Sequence, residues 1–137
     1  MGSNTYVRVY HHLVWGTKNR DPLIASEFRD ELYKYIHGIM TKMGWHVLAI
    51  GGTQDHIHIF FCVQKMHDIS EIVRCIKSNS SQFVRYNNNP NFAWQAGYGW
   101  FSCTGVSIEG LKNYILNQEK HHKQQSFDDE MELLLKM

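Results

Sequence analysis

The strongest constraint on the fold of this chain is the order in which its hydrophobic period changes along the sequence. A period near two marks half-buried strands, and spacings of three and four mark amphipathic helices. Thr5 to Trp15 is rich in Tyr, Val and Leu in near alternation, which predicts a strand, and Thr17 to Pro22 is a polar turn. Ser26 stands where an N-cap would, and Phe28, Leu32, Tyr35, Ile36, Ile39 and Met43 follow as a helical stripe that Gly44 should end. Trp45 to Ile50 and His56 to Val63 are predicted strands, joined as a hairpin by the turn Gly51 to Asp55. Asp68 is a good cap for a second stripe of Ile69, Ile72, Val73, Ile76, Ser80, Phe83 and Val84, which stops in Asn87-Asn88-Asn89-Pro90. A fourth strand is expected around Tyr98 to Cys103. Ser107 then caps a helix carrying Ile108, Leu111, Tyr114, Ile115 and Gln118, and a short last helix spans Phe127 to Leu135.

Strand, helix, strand, strand, helix, strand is the split βαβ arrangement, ferredoxin-like or RRM-like. The expected class is α+β: an antiparallel four-stranded sheet with two helices on one face, plus a C-terminal helix that bears Tyr114. At 137 residues, 43% of them apolar, the chain suits one domain over 1–137. Within it, residues 1–4 are expected as a disordered start, 107–125 as the tyrosine-bearing helix and 127–137 as an acidic C-terminal helix. No apolar run approaches the roughly 20 residues of a membrane span. Three cysteines outside any CxxC spacing argue against a disulfide scaffold or zinc knuckle, so a reduced, cytoplasmic protein is expected.

The formal charge of +1 conceals an asymmetry. Residues 127–137 hold four acidic side chains against Lys136, and the rest of the chain carries 13 basic and 9 acidic residues. A mildly basic body with an acidic tail is compatible with phosphate binding.

Three features could carry chemistry. In DHIHIFF, His56 and His58 are two apart on a predicted strand, so both imidazoles project from one face, roughly 6–7 Å apart along it. Such a pair can grip a divalent cation and leave positions open, or can simply pack. Asp55 is placed to orient one of the rings. The pairs His11-His12 and His121-His122 lack that spacing and read as solvated or packing residues. Tyr114 and Gln118 are four apart on a helix, so a phenol and a carboxamide project together. The phenol is a possible nucleophile toward phosphorus and the amide oxygen a neutral ligand, or the two are core and surface residues. Finally, Lys18, Arg20, Arg74, Lys77, Arg85 and Lys112, with Trp15, Trp94, Tyr98 and Trp100, resemble the cation-plus-aromatic surfaces that bind single strands. Each is individually explained as solvated charge or core aromatic.

In combination these segments are more specific than their parts. DHIHIFF after a Gly-Gly turn, the segment WQAGYGWFS, and YILNQEKHHKQQSFDDE stand in that order. They follow an opening strand Tyr10-His11-His12-Leu13-Val14-Trp15 and the turn TKNR. Together they resemble the small single-tyrosine transposases of the HUH superfamily, the IS200-like type carried by insertion sequences. The resemblance implies a single transposase domain that cleaves and rejoins single-stranded DNA. His56 and His58 would bind Mg²⁺ or Mn²⁺, Gln118 would complete the site, and Tyr114 would form a 5′-phosphotyrosine, with no nucleotide cofactor. It also implies recognition of DNA hairpins at the element's ends, with Lys18, Arg20, Lys77 and Lys112 as candidate backbone contacts. Members of the family act as homodimers in which the tyrosine helix of one subunit completes the site of the other. Two further readings compete with strand transfer: a domesticated or inactive copy that binds structured single-stranded DNA without cleavage, and a replication or conjugation nickase of the same superfamily. The short chain argues against the nickase.

Overall fold

The computed structural model describes residues 9–63, 68–103, 108–118 and 130. The predicted start of the first strand at residues 5–8, the Ser107 cap, residues 119–125 and the helix over 127–135 apart from Glu130 lie outside them, as do residues 1–4.

Four strands, β1 (Val9–Gly16), β2 (His46–Gly52), β3 (His56–Val63) and β4 (Gly99–Ser102), form one sheet in the order β2-β3-β1-β4. Every neighbouring pair is antiparallel. With α1 (Ser26–Lys42) after β1 and α2 (Ile69–Asn87) after β3, this is the predicted ferredoxin-like topology. A third helix, α3 (Ile108–Leu116), follows β4. Among the described residues no helix is long and apolar enough to cross a membrane.

Alternation decides which side chains meet which layer. Leu13 and Trp15 on β1 and Ile57, Ile59 and Phe61 on β3 pack against Phe28, Leu32, Ile36 and Met40 of α1 and Ile72, Val73, Ile76 and Val84 of α2. The opposite face carries a smaller cluster, in which Phe60 and Ala49 meet Ile115, with Leu111 and Tyr114 packed around them. β3 is central and covered on both sides, so all eight of its residues are buried. That placement puts the two faces of one strand to different uses.

Local details depart from expectation in instructive ways. The α1 stripe repeats strictly every fourth residue, which buries Met40 and leaves Met43 48% exposed at the helix C-cap. Gly44 follows with φ +84°, the left-handed geometry that lets a helix stop without steric cost. Ser26 is the first helical residue rather than the cap. Ala25 takes the cap position, and the Ser26 hydroxyl faces Glu27 instead. Asp68 does cap α2, its carboxylate accepting from the Ser70 amide at 2.9 Å. Ser80 lies fully buried among apolar neighbours because its hydroxyl is satisfied on both sides, donating to Ile76 O at 2.6 Å and accepting from Trp94 Nε1 at 2.9 Å. The predicted Gly51–Gly52 turn is instead the end of β2, with Gly51 opposite His58 and Gly52 opposite Ile57.

Candidate active site

Register places the histidines before any side-chain contact is considered. His58 lies between Val14 on β1 and Gly51 on β2, and His56 lies opposite Gly16. Both imidazoles are fully buried on the face that α3 covers. The glycine opposite His58 on β2 leaves room for that helix. A Cβ on Gly51 would overlap the carbonyl of Ile115, with the carbonyl carbon only 2.8 Å away. The tyrosine helix therefore rests on bare backbone beside His58.

Each ring is held from behind. The Nδ1 of His56 lies 2.9 Å from Asp55 Oδ1 and 2.9 Å from Thr53 Oγ1. The expected orienting role of Asp55 thus has a geometry, and Thr53 joins it. The Nδ1 of His58 lies 2.8 Å from Nε2 of His12 on β1. In front, His56 Nε2 faces Gln118 Oε1 at 3.1 Å, and His58 Nε2 faces Glu130 Oε1 at 3.0 Å. The same Glu130 oxygen is 3.6 Å from His56 Nε2. Gln118 lies just beyond α3 and is fixed by donating its amide to Tyr114 O at 3.1 Å.

These separations fit a divalent cation. Two ligand atoms at right angles on a six-coordinate Mg²⁺, each about 2.1 Å from it, lie about 3 Å apart. His56, His58 and Glu130 form a group whose ligand atoms all fall within 4.8 Å of one another. With Gln118 the donors are two imidazoles, an amide oxygen and a carboxylate, a mixed nitrogen and oxygen set suited to Mn²⁺ or Mg²⁺ rather than to a closed thiolate zinc site. The sequence pattern anticipates an uncharged ligand set; the structure adds a carboxylate to it.

Tyr114 stands edge-on to His58, ring centroids 5.8 Å apart, and donates its hydroxyl to Glu130 Oε2. Burial, reinforced by the hydrogen bond to Glu130 and the carboxylate's charge, pushes the phenol well above its ordinary pKa, and the Gln118 contact opposes this. One carboxylate thus touches the phenol through one oxygen and the histidines through the other. Tyr114, His56, His58 and Gln118 lie together within this chain.

The basic and aromatic candidates divide. Lys18 and Arg20 are exposed on the turn after β1, next to the Gly16–His56 pairing. Asn19 and Arg20 have φ of 56° and 54°, uncommon for residues other than glycine. Lys112 lies on α3, its ammonium 3.8 Å from Glu109. Lys77 is committed elsewhere: it donates to the carbonyls of Gln95 (2.9 Å) and Gly97 and lies 5.5 Å from the Trp15 ring centre. Trp15 is buried in the core and presents no stacking surface, whereas Trp100 is 46% exposed.

Sequence reasoning missed His12 and Glu130. The sequence reads His12, with His11, as a solvated or packing residue. Strand alternation was the available signal, since it puts His12 on the same face as His58 through the Val14–His58 pairing. Glu130 ends the YILNQEKHHKQQSFDDE segment but sits in an acidic run that reads as solvated charge, and no periodicity separates a buried acid from its neighbours there.

Comparison with known proteins bears on this geometry. No curated protein matches the chain. Among solved structures, a Deinococcus radiodurans protein assigned as a transposase superposes with a TM-score of 0.69 at 22% identity, over 86% of this chain and 96% of that one. A REP-associated tyrosine transposase bound to a REP hairpin superposes with a TM-score of 0.63 at 18% identity, over 88% and 73%. At those identities the likeness is one of fold. The family model described as IS200-like transposase matches residues 5–118, which span the sheet, the paired histidines, Tyr114 and Gln118. The chain belongs to the IS200-like transposase family.

Proposed function

We propose that this chain cleaves and rejoins single-stranded DNA at insertion-sequence ends, with Tyr114 as nucleophile and a divalent cation held by His56, His58, Gln118 and Glu130. The supporting observation is that the Tyr114 hydroxyl and the two histidine Nε2 atoms converge on the single carboxylate of Glu130. Bound there, Mg²⁺ or Mn²⁺ would polarise the phosphoryl oxygens and stabilise the leaving 3′-oxygen.

The chain's own residues account for the rest. Tyr114 is protonated at neutral pH, so its proton must leave as the oxygen–phosphorus bond forms. Glu130 Oε2 is already its hydrogen-bond acceptor and receives that proton. The leaving 3′-oxygen takes a proton from water, and the products are a 5′-phosphotyrosine and a free 3′-hydroxyl. A second 3′-hydroxyl, giving up its proton to water, then displaces the phenol, which takes back the proton held by Glu130. One phosphodiester replaces another, so the scheme needs no nucleotide cofactor. The DNA partner in this reading is a hairpin-ended strand, in line with the hairpin held by the REP-associated relative in its structure. Lys18 and Arg20, beside the His56 end of the sheet, and Lys112 on α3 are its candidate backbone contacts. The edge strands β2 and β4 offer pairing surfaces for a homodimer.

The test is incubation with Mn²⁺ and single strands carrying the hairpins that flank the gene. Wild type should give a denaturant-resistant protein–DNA adduct, and Tyr114→Phe none, while hairpin affinity stays nearly unchanged. Hairpin binding without any adduct would favour the binding-only reading.

A further inference from the structure

A neutral imidazole carries one proton on two nitrogens, and only the bare nitrogen can hold a cation. In His58 the nitrogen turned toward Glu130 is Nε2, so cation binding there requires the proton on Nδ1. For His56 that proton has natural acceptors, the Asp55 carboxylate and the Thr53 hydroxyl. In His58, Nδ1 faces the Nε2 of His12 at 2.8 Å, the two rings stacked at 5.0 Å and 23°. In front of His58, Glu130 Oε1 competes by attracting a proton to Nε2.

We infer that His12 is a positioning residue whose Nε2 lone pair accepts the Nδ1 proton of His58, which leaves the Nε2 of His58 bare for the cation. Two observations support this. His12 is held on β1 opposite Phe60, with its ring against Phe101 at 5.7 Å, so its position is fixed by the sheet rather than by a loop. It is almost fully buried. An imidazole thus does for His58 what a carboxylate does for His56, without adding charge behind the ring.

This inference rests on the reading of the paired histidines as cation ligands, and the experiment separates the two. Mn²⁺ binding is measured calorimetrically on the DNA-free protein for wild type, His12→Phe, which keeps a flat ring but has no acceptor, and His12→Gln, whose carbonyl can accept. The expected result is a loss of about 10–100-fold for His12→Phe, with His12→Gln within about threefold of wild type. In ¹⁵N-histidine spectra of wild type saturated with Mg²⁺, the proton should sit on His58 Nδ1, shared with His12. Equal Mn²⁺ affinity in His12→Phe, or a loss in His12→Gln as large as in His12→Phe, would overturn the inference, because packing alone would then explain the residue. A spectrum with the shared proton on His12 Nε2 would overturn it as well, and needs no variant to fold. Wild type that binds no Mn²⁺ would sink the cation reading and this inference together.

Discussion

The carbonyl of Ile115 fills the space that a side chain on Gly51 would need, so the tyrosine helix meets the sheet backbone to backbone. Gly51 is also the cross-strand neighbour of His58, which makes this contact the step between fold and chemistry. Gly51→Ala should lift α3 from β2 and β3 and carry Tyr114 and Gln118 with it. Overpacking of this kind costs about 1–3 kcal/mol, readable as a lower urea midpoint with little change in slope. Adduct formation should fall far more than hairpin affinity. An unchanged adduct yield at normal stability would mean that α3 docks elsewhere when the protein works.

Glu130 is asked to do two things through two oxygens, and a charge-removing substitution separates them from shape. Glu130→Gln keeps the volume but removes the anion. Mn²⁺ affinity should drop by at least about tenfold, since a ligand is weakened, and adduct formation should drop with it. The Tyr114 phenol should ionise at lower pH than in wild type, because two of the three influences that raise it come from this carboxylate, yet still above its ordinary value because burial remains. Ultraviolet titration of the variant against the same variant carrying Tyr114→Phe would isolate that one phenol. A faster reaction in Glu130→Gln would contradict the role proposed for the residue.

The topology and much of the core were legible because period-two and period-four patterns report directly which side chains share a face. Phe28, Leu32 and Ile36 are an example, and so are Ile57, Ile59 and Phe61. What such patterns leave unstated is what covers the other face. Gly51 and Gly52 read as a turn because glycines commonly end strands. They remain paired because α3 presses on one, and the carbonyl of His56 lies where a Cβ on the other would go. Within the candidate site, the His56–His58 pair and the Tyr114–Gln118 spacing were visible, since each is a local repeat. His12 and Glu130 were not, because their importance comes from contacts with residues far away in sequence.

Lys77, a candidate backbone contact by sequence, is engaged within the fold. Its ammonium ties α2 to the segment before β4 through two backbone carbonyls, and burial lowers its pKa. Lys77→Met should therefore cost about 1–2 kcal/mol of stability, the lower part of the range for hydrogen bonds to a charged group because the site is partly exposed. It should leave the salt dependence of DNA binding unchanged. Lys18→Ala should do the reverse, sparing stability while reducing the log–log salt slope by about 1 if it neutralises a phosphate. Measured slopes that fall for Lys77 and not for Lys18 would exchange their roles.

His11 supplies a prediction about acid stability that is independent of the site. Its ring lies on the helix-covered face against Phe61, and its Nδ1 accepts the Trp100 indole N–H at 2.8 Å. Burial lowers its pKa in the folded protein. The unfolded chain therefore binds a proton that the folded chain resists, and stability must fall as pH drops through the ordinary histidine range toward the lowered folded value. Protonating Nδ1 would also turn an acceptor into a donor facing another donor. His11→Phe keeps the ring contacts and removes the titration, and Trp100 is exposed enough for its N–H to find water. The variant should accordingly lose less stability than wild type between pH 7.5 and pH 5.5 in urea unfolding followed by circular dichroism. Because other histidines titrate in both proteins, the quantity to compare is the difference between the two pH dependences. Parallel curves would mean that His11 is protonated as easily in the fold as outside it.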